Sequence, residues 1–250
     1  INFRLVTREI EIILKDSEPK AVFVGSDYVD QTNPLIKNSV VNLWIIIHGN
    51  HQGYIEYESL FVSEDTICNT DVDMSEEDIA TIMYTGGTTG LPKGVMHTYR
   101  TLTATISDAY ALHISPVDVQ LKLSPIFHAT IVTVLYGLMV GCRTHFISHF
   151  PGVHEFLKII EREGITFGTI PPAVTVQIAN LDHDQVNQYD FSKFRLLINA
   201  ASPIAGSQLR KALEILDCQV SNQAGMTESP IYATMIIEDF REVSDELLGC

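Results

Sequence analysis

From Thr85 to Lys93 the chain gathers the glycines Gly86, Gly87 and Gly90, the hydroxyls of Thr85, Thr88 and Thr89, and the ammonium group of Lys93. Glycines after a strand let successive backbone N–H groups turn inward, and nearby hydroxyls and a cation complete a cradle for phosphate. Neither common nucleotide pattern fits. The Walker pattern sets its lysine directly after a glycine, whereas Lys93 follows Pro92, and the dinucleotide pattern needs a glycine where Thr88 stands. On composition alone the stretch reads equally as a flexible surface loop, with Lys93 a solvated lysine.

Other chemistry-bearing residues lie further along. Thr227 and Glu228 place a hydroxyl beside a carboxylate, a donor pair that suits a hard cation bridging phosphates. The same pair in isolation would serve as a helix cap. His128 stands alone in "SPIFHAT" and reads either as a substrate contact or as a core histidine. Cys142 with His145 and His149, and His48 with His51, invite a zinc reading. Strand alternation sends neighbouring side chains to opposite faces and no second cysteine pair exists, so zinc is not expected.

The elements that must position these groups follow from apolar patterning. Seven short runs read as buried strands: residues 20–27, 40–47, 79–85, 142–148, 165–170, 194–200 and 217–222. Helical patterns cover 7–17, 101–112, 152–164 and 206–216; in the third, Glu155, Lys158, Glu161 and Arg162 oppose Phe156, Ile159 and Ile160. Strand alternating with helix implies an α/β fold of mostly parallel sheets layered with helices, joined by right-handed crossovers. Ligands in such folds gather at the carboxyl ends of strands. Three loops that follow strands stand out there: 86–94, 201–205 and 223–230.

Composition narrows the function. The chain has 250 residues, 46% hydrophobic and 19% charged, which fits a globular domain with a sizeable core. Its net charge of -15 and the lack of any basic run exclude a nucleic-acid surface. The longest apolar runs, 40–47 and 129–140, are shorter than the about 20 residues of a membrane span. Four dispersed cysteines and no leader-like start suggest a reducing, cytoplasmic setting. The chain opens on Ile1 and stops at Cys250, which reads as a piece of a longer protein.

With these residues in view, "YTGGTTGLPKGV" resembles the signature Y-T-S-G-T-T-G-x-P-K-G-V of the adenylate-forming enzymes, the superfamily of acyl-CoA synthetases, luciferases and adenylation domains. "SPIFHAT" is similar to the family's P-L-F-H segment, "LLINAASPIAG" to its G-A-A-P-L-S region and "NQAGMTES" to its Q-G-Y-G-M-T-E. The resemblance runs over nearly the whole chain, to the acyl-CoA synthetase branch. It implies that residues 1–250 are part of the large N-terminal AMP-binding domain, without the small C-terminal domain that carries a catalytic lysine and contacts to CoA.

The implied reaction joins a carboxylic acid to ATP, giving an acyl-adenylate and pyrophosphate, and then to coenzyme A as a thioester. By resemblance, Thr85, Gly86, Gly87, Thr88, Thr89 and Gly90 would wrap the β- and γ-phosphates, and Lys93 would attract the leaving pyrophosphate. Glu228 would hold Mg2+ with Thr85 as a second contact, and Thr227 would hydrogen-bond the α-phosphate. Ala200, Ala201, Ser202 and Pro203 would form the adenine wall, joined in nucleotide binding by Gln223, Ala224, Gly225 and Met226. His128 replaces the aspartate with which peptide-synthetase domains meet an amino group, so the resemblance implies a plain carboxylic acid. The apolar run 131–140 would line or back the acyl pocket and favours a fatty or other apolar acid.

Three positions depart from the family pattern: Gly86 stands for serine, Ala200 for glycine and Ala224 for the tyrosine or phenylalanine that stacks on adenine. These departures keep a second reading open, a nucleotide-binding or interaction module that has lost catalysis. Within the enzyme class an aryl-acid or luciferase-like ligase also stays open.

Overall fold

The computed structural model describes residues 1–61, 72–85, 91–123, 125–127 and 130–249. The backbone forms two compact units, Ile1–Thr98 and Tyr99–Cys250.

In the first unit, α1 (Thr7–Ser17) precedes β1 (Ala21–Gly25), a single turn α2 (Val29–Thr32), β2 (Leu43–Ile47) and β3 (Ile55–Glu56). The three strands pair in parallel in the order β1-β2-β3. The apolar stripe of α1, Ile10 and Leu14, packs with Val24, Trp44 and Ile46. α1 stops at Glu18, which takes the left-handed conformation (φ 44) and returns its N–H to the Leu14 carbonyl. A separate hairpin follows, β4 (Ile79–Thr85) antiparallel to β5 (Lys93–Thr98).

The second unit runs α3 (Tyr99–Ile106), α4 (Asp108–Ala111), β6 (Val119–Lys122), α5 (Thr130–Val140), β7 (Arg143–Phe146), α6 (Val153–Arg162), β8 (Phe167–Thr169), α7 (Pro172–Ala179), α8 (His183–Val186), β9 (Leu196–Asn199), α9 (Gly206–Leu216), β10 (Gln219–Met226), β11 (Ser229–Ile237) and α10 (Asp245–Leu248). Its six-stranded sheet has the order β11-β10-β9-β8-β6-β7. All neighbours are parallel except β10 and β11.

Helices cover both faces of that sheet. On one, Leu121, Leu197 and Val220 meet Phe156, Leu157 and Ile160 of α6, Val174 and Ile178 of α7, and Leu209 and Leu213 of α9. On the other, Phe167, Leu196 and Ile198 meet Ala109, Leu112 and Tyr136. A clamp fixes the lower edge: Asp118, 5% exposed, accepts from Arg195 Nε at 3.0 Å and Nη2 at 2.9 Å, from Thr166 Oγ1 at 2.7 Å and from the Ser115 N–H at 2.8 Å.

Several elements differ from the sequence reading. The glycine-rich segment lies between two antiparallel strands, and the second of them, Lys93–Thr98, was not among the expected strands. A short connection can reverse the chain only between antiparallel neighbours. The expected helix 101–112 divides at Ser107, whose hydroxyl donates back to the Ala104 carbonyl at 2.6 Å. The expected loop 223–230 is mostly strand, with β10 running on to Met226 and β11 starting at Ser229. The apolar run 129–140 yields α5, and among the described residues no helix is long and apolar enough to cross a membrane.

Candidate functional site

The candidate phosphate residues begin where β4 ends. Thr85 and Lys93 face each other as the last pair of the β4–β5 ladder, and the Thr85 hydroxyl points to the Lys93 carbonyl at 3.4 Å. Gly86, Gly87, Thr88, Thr89 and Gly90 lie outside the described residues. Below them Tyr84 Oη donates to Asp16 of α1 at 2.5 Å, tying the hairpin to that helix. Gly94 is required beside this tyrosine, because a Cβ there would come within 2.7 Å of Ile82 and 3.1 Å of the Tyr84 ring. Lys93 is exposed at the start of β5.

In the second unit, the ends of β9 and β10 carry the other candidates. Ala200, Ala201, Ser202 and Pro203 leave β9 directly, the last three exposed. Ala201 has φ 78, in the left-handed region that a residue with a Cβ seldom adopts. The two strand ends are joined by a polar pair that sequence reasoning missed: Asn199 Nδ2 donates to Asn222 Oδ1 at 2.9 Å, and Asn222 Nδ2 donates to the Leu248 carbonyl at 2.9 Å.

Beyond Asn222, the Gln223 side chain is buried and turns to the face covered by α4 and α5, donating to Asp108 Oδ2 of α4 at 2.7 Å. The same oxygen accepts from Thr234 Oγ1 at 3.1 Å and Tyr136 Oη at 3.2 Å. Burial, and then the Asp108 charge, hold the Tyr136 phenol protonated well above its ordinary range. Asp108 thus anchors β10 and β11 together; nothing in the local sequence marks it.

Ala224, Gly225 and Met226 are exposed at the tip of β10, and Thr227 and Glu228 form the connection into β11. The turn is tight: a Cβ on Gly225 would lie 1.8 Å from the Pro230 carbonyl oxygen. The Glu228 carboxylate is exposed at this turn. Among the described residues no group of three or more His, Cys, Asp or Glu could hold a metal. Mg2+ keeps several waters and needs only one or two carboxylates when phosphates share it, so a single exposed carboxylate beside a hydroxyl fits that ion. His128 lies outside the described residues.

A buried cation also escaped sequence reasoning. Lys122 closes β6 at 2% exposure, and its ammonium donates to the Thr133 hydroxyl of α5. Thr133 is held a second time, its carbonyl accepting from Gln120 Nε2 at 2.5 Å. Burial lowers the Lys122 pKa from 10.5 to about 7. The unfolded chain therefore binds more protons than the folded one between about 7 and 10.5, so this group makes stability rise with pH across that window. Lys122→Met is expected to stabilise the protein by on the order of 1–4 kcal/mol below pH 7. Urea titrations at pH 6 and pH 10 should show that gain shrinking; an equal gain at both would contradict the assignment.

Comparison with known proteins shows the family and the fold. The family described as AMP-binding enzyme matches residues 1–249. 4-Coumarate–CoA ligase 3 of Arabidopsis thaliana is 27% identical over 234 residues, 89% of this chain and 40% of the ligase. A long-chain-fatty-acid-CoA ligase from Archaeoglobus fulgidus superposes with a TM-score of 0.79 at 26% identity, over 94% of this chain and 48% of that one. The luciferase-like enzyme of the Zophobas morio mealworm shares the fold, with a TM-score of 0.82 at 20% identity over 99% of this chain and 57% of its own. The chain spans less than half the length of the curated relatives it matches. With its match extending from the first residue to the last but one, the chain belongs to the AMP-binding enzyme family.

Proposed function

We propose that the full-length protein activates a carboxylic acid with ATP and passes the acyl group to coenzyme A. The observation that carries this reading is the family match over residues 1–249. In it, Thr85 to Gly90 and Lys93 receive the β- and γ-phosphates, Ala200 to Pro203 and Gln223 to Met226 border the nucleotide, and Thr227 meets the α-phosphate. Mg2+, held by Glu228 with Thr85, would neutralise phosphate charge as pyrophosphate departs. His128 would meet the acid. A further C-terminal domain would supply the catalytic lysine and the contacts to CoA. The dispersed cysteines favour the cytoplasm as the compartment.

Joining two anions requires positioning and charge neutralisation more than proton transfer. Acid-dependent exchange of labelled pyrophosphate into ATP by the full-length protein tests the reading. Glu228→Ala is expected to lower that exchange on the order of 100-fold or more. Exchange with no acid at all, or an unchanged rate in the variant, would sink it.

Ala224 decides how strongly adenine is held. It is exposed at the end of β10, so a ring can be accommodated there. Ala224→Tyr is expected to tighten ATP binding by about 0.5–1.5 kcal/mol, roughly 2- to 10-fold in Kd. Calorimetry of both proteins with ATP and Mg2+ checks this; unchanged affinity would mean that adenine does not reach Ala224.

The acid itself is less constrained. Relatives include ligases named for 4-coumarate and for long-chain fatty acids. An apolar tail, aliphatic or aromatic, agrees with the apolar residues of α5.

A further inference from the structure

The acid-activating reading leaves one group in the second unit without a role: the ammonium of Lys122. It sits at the carboxyl end of β6, and the same rim of the sheet carries the Ala200–Pro203 segment after β9 and the Thr227–Glu228 turn after β10. Ligands of parallel sheets collect along that rim. An ammonium has three N–H donors. The described residues accept one of them, at Thr133 Oγ1. Among the described residues no ion pair to a carboxylate offsets the charge, and burial is what lowers its titration.

Thr169 is the cross-strand partner of Lys122, and Thr169 Oγ1 is buried with no hydrogen bond among the described residues. Thr169 pairs with Ile198, and Ile198 with Ser221, whose buried Oγ also lacks a partner among the described residues. Cross-strand partners share a face of the sheet. The row Lys122, Thr169, Ile198, Ser221 therefore sets two unpaired hydroxyls and an under-used ammonium on one face, around an apolar residue. Buried polar groups ordinarily find partners. Three left short of them, on β6, β8 and β10, call for an oxygen that the described residues do not supply.

We propose that this row recognises an oxygen function on the tail of the acid substrate: the substrate is a carboxylic acid with an otherwise apolar tail that carries a hydroxyl, carbonyl or second carboxylate, and Lys122 determines that specificity. The inference rests on the acid-activating function proposed above and narrows it from an apolar acid to an oxygenated one. The Lys122 N–H groups donate to the tail oxygen; the hydroxyl of Thr169 can donate to it or accept from it. Thr133 holds the ammonium in place from α5.

Matched acids tested with the full-length protein decide the matter. Octanoic acid is compared with 8-hydroxyoctanoic and octanedioic acids, and 3-phenylpropenoic acid with its 4-hydroxy derivative, by kcat/KM in pyrophosphate exchange. The wild type is expected to prefer an oxygenated member by about tenfold or more, because a site built to hydrogen-bond an oxygen discriminates against acids that lack it. In Lys122→Met that ratio should fall toward one, with the KM for the oxygenated acid rising and the KM for ATP unmoved. Thr133→Val, which leaves the lysine in place but unanchored, should lower the ratio in part.

A wild type that favours the plain member of every pair, or a preference that survives Lys122→Met, overturns the proposal. So does an equal loss with both members, which would mark Lys122 as structural. Wild-type protein that activates no acid at all would overturn the underlying reading and this one with it, an outcome distinct from activation without preference.

Discussion

Asp118→Asn is expected to remove about 3–5 kcal/mol of folding stability, because it leaves the Arg195 guanidinium without its partner at a largely buried site. The carboxylate is 5% exposed and takes both prongs of that guanidinium. The remaining Arg195 donors reach the Leu112 carbonyl at 3.3 Å and the His113 carbonyl at 3.0 Å, so one side chain ties the start of β9 to the segment before β6. Asparagine preserves the shape but carries no charge and has only one acceptor oxygen.

The pH dependence has a definite sign. Burial pushes the Asp118 carboxyl up, but hydrogen bonds from Arg195, Thr166 and the Ser115 backbone, with the Arg195 charge, override it and hold the pKa at about 2 instead of 3.8. A carboxyl depressed on folding stabilises fully above its unfolded pKa and loses that contribution as pH falls toward the folded value. The gap between wild type and Asp118→Asn should thus be constant above pH 5 and narrow from about 3.8 toward 2. Urea titrations at pH 7, 4 and 3 measure it. A gap under about 1 kcal/mol at pH 7 would show that the clamp contributes no more than an exposed pair.

Gly225→Ala is the second large effect. The added Cβ would sit 1.8 Å from the Pro230 oxygen and 2.6 Å from its carbonyl carbon. The obstacle is backbone on the opposing strand, so no side chain can swing aside, and the β10–β11 ladder must part near its register shift between Ala224 and Met226. A loss of about 3 kcal/mol is expected, at the upper end of ordinary overpacking. The damage should be local: amides at the tip of the hairpin lose hydrogen-exchange protection while those of β6 and β8 keep theirs. Pyrophosphate exchange should collapse with it, since Thr227 and Glu228 ride on the same turn. Native protection at the hairpin tip in the variant would refute the close approach.

How much of this could be read from sequence depends on where each signal resides. α1 and α9 occupy Thr7–Ser17 and Gly206–Leu216, the same bounds that their periodicity implies, because each carries one apolar stripe and stops at a left-handed residue, Glu18 or Asp217. β4, Ile79–Thr85, was equally plain. β6 was not: Val119 to Lys122 interleaves polar residues with apolar ones, and the polar Gln120 and Lys122 are buried along with Leu121, contrary to what a pattern of hydrophobicity expects. α7 was hidden because the apolar residues of "PAVTVQIA" fit a buried strand as well as a helix.

The candidate site divides in the same way. Thr85, Lys93, Thr227 and Glu228 stand out through local composition and through resemblance. Asp108 and the Asn199–Asn222 pair do not, because their meaning lies in partners far along the chain; Gln223 reaches Asp108 across 115 positions. An asparagine late in each of two expected strands, Asn199 in 194–200 and Asn222 in 217–222, was the one available hint.

The strand order of the large sheet bears on how the chain assembles. Each strand from β6 to β11 finds its neighbours within two strands of itself in sequence. Closing a loop costs more as the loop lengthens, and here no strand awaits a distant partner, so the sheet can be extended in the order of synthesis, with β8 passing over β7 to dock on β6. α10 comes last. Arg210 of α9 receives it through Asp245 Oδ1 at 2.6 Å and the Val243 carbonyl at 2.6 Å, while Gly206 lets the Asp245 backbone lie against that helix. α10 thus acts as a latch on a surface that α9 already presents.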